Sequence, residues 1–371
     1  MKVAFVASDA AGLDGWGRYT AELVGALRSL DVEPVLITAG SVGEALTDLP
    51  HYPILPGPFE GIGTTPRSLL LVPKVRRIVA DCNLIHCMTE HYMPLAALVS
   101  GGKPLVMLAH GTWAVRPLAR RWLGWLFRWA IRRADLVIGV SRYTLDRMAH
   151  YVSLRRTLVR SGGVRIDDFA RPVAWRPPAW AKGARVALGV GAIKARKGYH
   201  VAIEAVREAL DELPNLHYVI VGGLEHAPGY VAQLREQIER LGLAGRIHLL
   251  GRVPFDELVG WYQCADVLLL VPVNIGDSFE GFGLVYLEAG AASTPSIGSS
   301  DCGAAEAILD GKNGLLVPQN DPSATAGALV RALGDPDWLR RAGQAARDHV
   351  ALHTWEVVAA DTLAAYRCLR P

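Results

Sequence analysis

The chain has 371 residues, 51% hydrophobic and 20% charged, with a formal net charge of +3. That length exceeds what one core usually organises, so two domains of roughly 170 residues each are expected, and the composition excludes a disordered, low-complexity or fibrous chain. No run reaches the roughly 20 uncharged apolar residues that would span a bilayer, the start Met1-Lys2-Val3-Ala4-Phe5-Val6-Ala7 is unlike a signal sequence, and five scattered cysteines without a Cys-x-x-Cys pair read as reduced thiols, so the expected location is cytoplasmic.

In chain order, residues 3–7, 34–38, 83–87, 105–109 and 136–140 are short β-rich apolar runs that read as buried parallel strands. Amphipathic segments such as 18–30 and 68–79 lie between them and predict helices, so the first half reads as a doubly wound α/β domain. Residues 116–133 combine Arg116, Arg120, Arg121, Arg128 and Arg132 on one arc at helical spacing with Leu118, Trp122, Trp125, Leu126 and Trp129 on the other. Such a basic amphipathic helix suits the face of an anionic membrane, while a domain helix with core tryptophans is the plain alternative.

A proline-rich stretch at 171–182 breaks the alternation, and the expected division is a domain over 1–172, a linker over 173–183 and a domain over 184–353. Beyond it, residues 186–190, 218–221, 247–250, 267–271 and 315–317 repeat the strand pattern. Charge divides unevenly: residues 1 to 175 carry 21 Lys and Arg against 14 Asp and Glu, and the remainder 18 against 22. Each half opens with a strand and a glycine-containing turn, Gly12, Gly15 and Gly17 in the first and Gly189 and Gly191 before Lys197 and Gly198 in the second. Glycine lets backbone amides approach an anion at a helix start. Neither run has the spacing of a dinucleotide fingerprint or a P-loop, and a plain turn explains either one alone.

The segment richest in chemistry is Ser278-Phe279-Glu280-Gly281-Phe282-Gly283-Leu284-Val285-Tyr286-Leu287-Glu288-Ala289. A strand ends before it, a loop carries Glu280, and a helix starts near Gly283, which places the amides of Gly281, Phe282 and Gly283 at the carboxyl edge of a parallel sheet, where open α/β folds bind ligands. Glu288 then lies about 7 Å along the helix. The Asp335-Pro336-Asp337 run has the form of a metal-binding Asp-x-Asp, but Asp and Pro in that order read as a helix cap.

The Glu-x7-Glu pattern enclosing Gly-Phe-Gly-Leu resembles the donor-site signature of family 4 retaining glycosyltransferases. The resemblance continues through 291–295, Gly303-Ala304-Ala305-Glu306, Asp310-Gly311 and Asn313-Gly314-Leu315-Leu316-Val317-Pro318, and upstream through Gly15-Trp16-Gly17-Arg18-Tyr19, Leu84-Ile85-His86, His110-Gly111, 134–138 and Ser141. It implies a GT-B architecture of two Rossmann-like doubly wound domains facing across a cleft, with residues 354–371 as a helix crossing back to the first domain. It also implies the roles. Glu288 would bind the ribose hydroxyls, Glu280 and the amides of Gly281, Phe282 and Gly283 the donor sugar, and Leu284 would sit beside the diphosphate. Lys197 would stabilise the leaving group, and Gly17, with Gly15, would close on the donor phosphate. His110 would lie over the sugar, and loops near Arg252 and Val253 would reach the base. Two departures stand out: the arginine usual after the first glycine is Ala192, so Arg196 is the expected substitute with Lys194 in reserve, and a usual glycine is Ser293.

The expected function is metal-independent, retaining transfer of a hexose-type sugar from a UDP- or GDP-sugar to a saccharide or lipid-linked acceptor, by a front-face mechanism and without a further cofactor. The catalytic residues expected are His110, Glu280, Lys197 and Arg196, and Arg116, Arg120, Arg121, Trp122 and Trp125 are expected at the acceptor or at the inner face of an anionic membrane. No nucleic acid is expected as a partner. The alternative is a non-catalytic nucleotide-sugar-binding protein, motivated by Ala192 and Ser293, or an epimerase or hydrolase of the same fold.

Overall fold

The computed structural model describes residues 1–12, 15–58 and 64–369. The chain divides into two units, Met1–Gly163 with Trp355–Pro371, and Val164–Thr354.

The first unit runs β1 (Lys2–Ala7), α1 (Gly15–Arg28), β2 (Glu33–Thr38), β3 (His51–Pro53), α2 (Thr64–Leu69), α3 (Val72–Ile78), β4 (Leu84–Cys87), α4 (Met93–Val99), β5 (Leu105–Ala109), α5 (Thr112–Ala119), α6 (Gly124–Arg132), β6 (Leu136–Gly139), α7 (Arg142–Ala149) and β7 (Thr157–Val159). Its strands form a parallel sheet in the order β3-β2-β1-β4-β5-β6-β7. Helices cover both faces of such a sheet, which is why its central strands read as unbroken apolar runs. Val3 to Ala7 and Leu105 to Ala109 are buried throughout.

The second unit contains α8 (Ile166–Ala170), β8 (Arg185–Val190), α9 (Tyr199–Ala209), β9 (Leu216–Val221), α10 (Pro228–Arg240), β10 (Ile247–Gly251), α11 (Phe255–Cys264), β11 (Val267–Leu269), α12 (Leu284–Ala291), β12 (Ser296–Ser299), β13 (Gly314–Val317), α13 (Pro322–Leu333) and α14 (Pro336–Val350). Its parallel sheet has the order β10-β9-β8-β11-β12-β13. The last helix, α15 (Trp355–Arg367), belongs to the first unit. There the Tyr366 hydroxyl meets His86 Nδ1 at 2.6 Å, and Trp355 packs edge-on against Tyr19.

Several sequence expectations shift. The helix expected over 68–79 is two helices, because Pro73 has no N–H to bond the Leu69 carbonyl and so fits only the first turn of a new helix, and the exposed Leu70 sits at the break. The single helix expected over 116–133 is likewise α5 and α6. Pro117 lies inside α5, Arg120 turns extended, and Gly124 donates to the Arg120 carbonyl at 2.8 Å. The stretch expected as a linker at 173–183 packs within the second unit: Trp175 contacts Trp261, and Trp180 stacks on His217 and His248 at 4.5 and 4.1 Å. The units meet in sequence at Gly163 and Val164 instead. Asp335 caps α14 by accepting from the Trp338 amide at 2.8 Å. Among the described residues, no helix is long and apolar enough to cross a membrane.

Candidate active site

In an open parallel sheet the crevice for a ligand opens where strand order reverses direction. In the second unit that point lies between β8 and β11. The loop after β8 carries Arg196 and Lys197, and the loop after β11 carries Glu280. Arg196 Nη1 stands 2.9 Å and Lys197 Nζ 2.6 Å from the same Glu280 Oε2. Lys197 and Glu280 are both buried. Burial alone would raise the Glu280 pKa, but Lys197 and then Arg196 outweigh it and hold the carboxyl at about 2. Burial lowers the Lys197 pKa and Glu280 opposes that shift. The trio keeps a net positive charge, suited to a diphosphate.

Close backbone approaches hold the two loops together. Gly198 has φ +72°, and a Cβ there would collide with the Val271 carbonyl. Val273 donates to the Arg196 carbonyl at 2.9 Å. A Cβ on Gly303 would strike the Gly281 carbonyl, and the Gly303 amide donates to the Glu280 carbonyl at 2.9 Å. Beneath them, the hydroxyls of Tyr199, Tyr218 and Tyr286 donate to the carbonyls of Gly191, Leu269 and Leu270. Gly283, at φ +85°, precedes α12. Among the described residues the Gly281, Phe282 and Gly283 amides donate to no protein acceptor, as an anion-binding helix start requires.

Glu288 is buried on α12, where its Oε2 accepts from the Tyr262 hydroxyl at 2.6 Å. Leu284, at the first turn, is partly exposed. Of the two residues weighed against Ala192, Arg196 reaches Glu280, whereas Lys194 is exposed. Ser293 adopts φ +63°, a left-handed conformation that favours glycine. Arg252 follows β10, two strands from β8 in sheet order, and its Nε and Nη2 bond Glu225 Oε1 at 2.9 and 2.7 Å. Val253 beside it is half-buried. Among the described residues, no three His, Cys, Asp or Glu side chains cluster as a metal site would need.

In the first unit the order reverses between β1 and β4. The Ser8 amide after β1 donates to Thr89 Oγ1 after β4 at 3.0 Å. His110, following β5, is fixed from three sides. Its amide donates to Glu90 Oε1 at 2.7 Å, its Nε2–H donates to the Met88 carbonyl at 2.9 Å, and the Tyr19 ring packs edge-on at 5.1 Å. Burial pushes the His110 pKa down to about 4, which leaves the ring neutral with Nδ1 as its acceptor. Glu90 Oε2 is buried without a hydrogen-bond partner among the described residues, and burial pushes this carboxyl up to about 7. At Gly17 a Cβ would collide with the Asp9 carboxylate. At Gly15 an added Cβ would meet none of the described residues within 4 Å.

Arg116 and Arg120 are exposed and border a cavity that also touches His91 and Trp113. Arg121 is exposed, and Trp122 and Trp125 are 89% and 62% exposed. The sequence alone did not mark Glu90 or Tyr262 as site residues. A tyrosine on the buried face of α11 was the available signal for the latter, since a buried hydroxyl needs a partner.

Two doubly wound parallel units, the second with a buried acid held between two cations at its switch point, define a GT-B-type protein. The model of the glycosyl transferases group 1 matches residues 174–349, and that of glycosyltransferase family 4 matches residues 13–167. A GDP-mannose-dependent alpha-(1-6)-phosphatidylinositol monomannoside mannosyltransferase from Mycolicibacterium smegmatis is 32% identical over 302 residues, 76% of this chain and 76% of the relative. The chain belongs to the family 4, group 1 glycosyltransferases.

A D-inositol 3-phosphate glycosyltransferase from Corynebacterium urealyticum is 35% identical over 50% of this chain, and one from Streptomyces avermitilis 33% over 64%. The chain spans only 43% and 52% of the length of those two relatives. Among solved structures, Anabaena Alr3699/HepE in complex with UDP superimposes with a TM-score of 0.82 at 19% identity, covering 100% of both chains. Sucrose-phosphate synthase from Thermosynechococcus elongatus gives 0.78 at 21% identity, covering 100% of this chain and 99% of that one. At these identities the likeness is one of fold.

Proposed function

We propose that this chain is a retaining, metal-independent glycosyltransferase that moves a hexose-type sugar from a UDP- or GDP-sugar to a saccharide or lipid-linked acceptor. The observation that carries the reading is the meeting of Arg196 and Lys197 at Glu280, beside three amides at the start of α12 that are unpaired among the described residues. Positive charge placed where a leaving diphosphate develops its negative charge lowers the barrier without a metal. Glu288, oriented by Tyr262, has a carboxylate suited to a vicinal ribose diol. The names of the relatives favour the same substrates. The Mycolicibacterium enzyme is GDP-mannose-dependent and acts on a phosphatidylinositol mannoside, and the Anabaena protein binds UDP.

In this reading the second unit holds the donor and the first the acceptor, with His110 Nδ1 accepting from a sugar hydroxyl. The bond from the anomeric carbon to the diphosphate oxygen breaks as the acceptor oxygen bonds to the same face. The acceptor proton passes to the departing diphosphate oxygen. Purified protein incubated with UDP-glucose or GDP-mannose and EDTA is expected to release UDP or GDP slowly, and the transfer product is expected to keep the anomeric configuration by NMR. A trapped glycosyl ester on Glu280 would overturn the front-face step, and donor binding without any turnover would favour the non-catalytic alternative.

The exposed Trp122 and Trp125, among Arg120, Arg121 and Arg132, also support peripheral contact with an anionic leaflet at the cytoplasmic face. Flotation with phosphatidylglycerol vesicles at low salt tests it: recovery of the protein with the vesicles is expected, and absence of binding removes the membrane contact.

A further inference from the structure

The first unit holds a cavity of about 210 Å³ between α5, α6 and His91, lined by the Arg116 and Arg120 expected at the acceptor. Its apolar wall includes Trp113, Pro117 and Phe127, and Arg116 and Arg120 line it as well. The Arg116 guanidinium lies over the Trp113 ring at 5.3 Å, which limits its freedom. Among the described residues neither arginine has a carboxylate partner. The sequence explains this lack. From residue 91 to residue 134 the chain holds seven Lys and Arg and no Asp or Glu.

His91 is the third polar element. Its ring is held between Trp16 and Trp113, with centroids at 5.7 and 5.1 Å. Its Nδ1 is buried with no hydrogen-bond partner among the described residues, and a buried unpaired nitrogen beside a cavity points to a ligand group. Burial, and then Arg120, hold its pKa at about 4, so it serves as a neutral hydrogen-bonding group. The volume is below the roughly 300–1,000 Å³ of drug-sized sites. It suits one ring with a small substituent.

Two guanidiniums without a carboxylate partner among the described residues match a phosphate better than a neutral hydroxyl or a nucleobase, because each offers paired donors in a fixed fork. We propose that this cavity is an acceptor head-group subsite selective for a phosphorylated sugar or polyol ring, with Arg116 and Arg120 on the phosphate, Trp113 against the ring and His91 Nδ1 on a ring hydroxyl. The word acceptor rests on the glycosyl-transfer reading, but the binding does not.

The test is calorimetric titration of the full chain without donor, using myo-inositol 1-phosphate, myo-inositol, and phosphatidylcholine vesicles carrying phosphatidylinositol or, at equal charge, phosphatidylglycerol. The phosphorylated ring is expected to bind at least about tenfold tighter than myo-inositol, and Arg116→Ala or Arg120→Ala to weaken it about tenfold or more. Arg207→Ala, in the second unit, should leave it unchanged. Arg116→Lys keeps the charge but not the fork, and is expected to lose part of the affinity. Both arginines are exposed, and unchanged thermal unfolding of the variants will show that the fold persists. Binding of the soluble phosphate assigns the site to a free acceptor, and tighter binding of phosphatidylinositol vesicles than of phosphatidylglycerol vesicles of equal charge, without binding of the soluble phosphate, assigns it to a lipid head group. Equal affinity for myo-inositol, no binding of any probe, or unchanged affinity in both arginine variants overturns the proposal. With no donor present, these outcomes are independent of nucleotide release, which judges the transfer reading.

Discussion

At Glu280 two cations share one carboxylate oxygen in a buried setting, and the consequence is a pH dependence of known sign. Its folded pKa of about 2 lies below the ordinary 4.5, so the stability it contributes is present above pH 4.5 and is lost as pH falls towards 2. Glu280→Gln is expected to remove that part of the acid slope, read from urea midpoints between pH 5 and 2.5. It is also expected to lower neutral stability by roughly 3–5 kcal/mol by leaving Lys197 buried and unpaired. Ser293 makes a prediction of opposite direction. At φ +63° a non-glycine residue carries strain, and Ser293→Gly should stabilise the second unit by about 0.5–1 kcal/mol in urea unfolding. Glu280, Glu288, Lys197 and Arg196 were legible because they lie in short local patterns. Glu90 and Tyr262 were not: each matters through a partner 20 or 26 residues away, and only the fold creates those contacts.

At the scale of elements, the central strands were legible because burial on both faces demands unbroken apolar runs. The strands that escaped notice lack them. β3 and β7 have three residues each at the two edges of the sheet, and β12 is Ser-Ile-Gly-Ser, whose small residues carry little β signal. The α5–α6 pair shows the opposite error, since helical periodicity ran on through the break that the extended Arg120 makes. The two sides of α6 should therefore respond differently. Trp125→Ala is expected to change stability by less than about 0.5 kcal/mol because that ring is 62% exposed. Phe127→Ala, at a buried position, is expected to cost about 3–5 kcal/mol in denaturant unfolding.

At the scale of the molecule, two α/β units were evident from the restart of the strand–helix alternation, but their boundary was not. Proline suggested a linker where Trp175 and Trp180 dock on the second unit, because composition marks chain stiffness and not what the aromatic rings touch. The return of α15 gives the first unit a core contribution from the far end of the chain, with Trp355, Val358, Leu363 and Tyr366 buried. At roughly 1.5–3 kcal/mol for each large buried side chain, their loss rivals the about 5–15 kcal/mol that stabilises a domain. Truncation after Thr354 is expected to abolish the first unit's calorimetric transition and to spare that of the second. The central claim, that the Arg196–Lys197–Glu280 cluster holds a nucleotide sugar, is tested most directly by calorimetric titration of UDP-glucose and GDP-mannose into the wild-type chain and Lys197→Ala. At least one donor is expected to bind the wild type, at least about tenfold more tightly than the variant; no binding of either donor, or equal binding by the variant, would contradict the account.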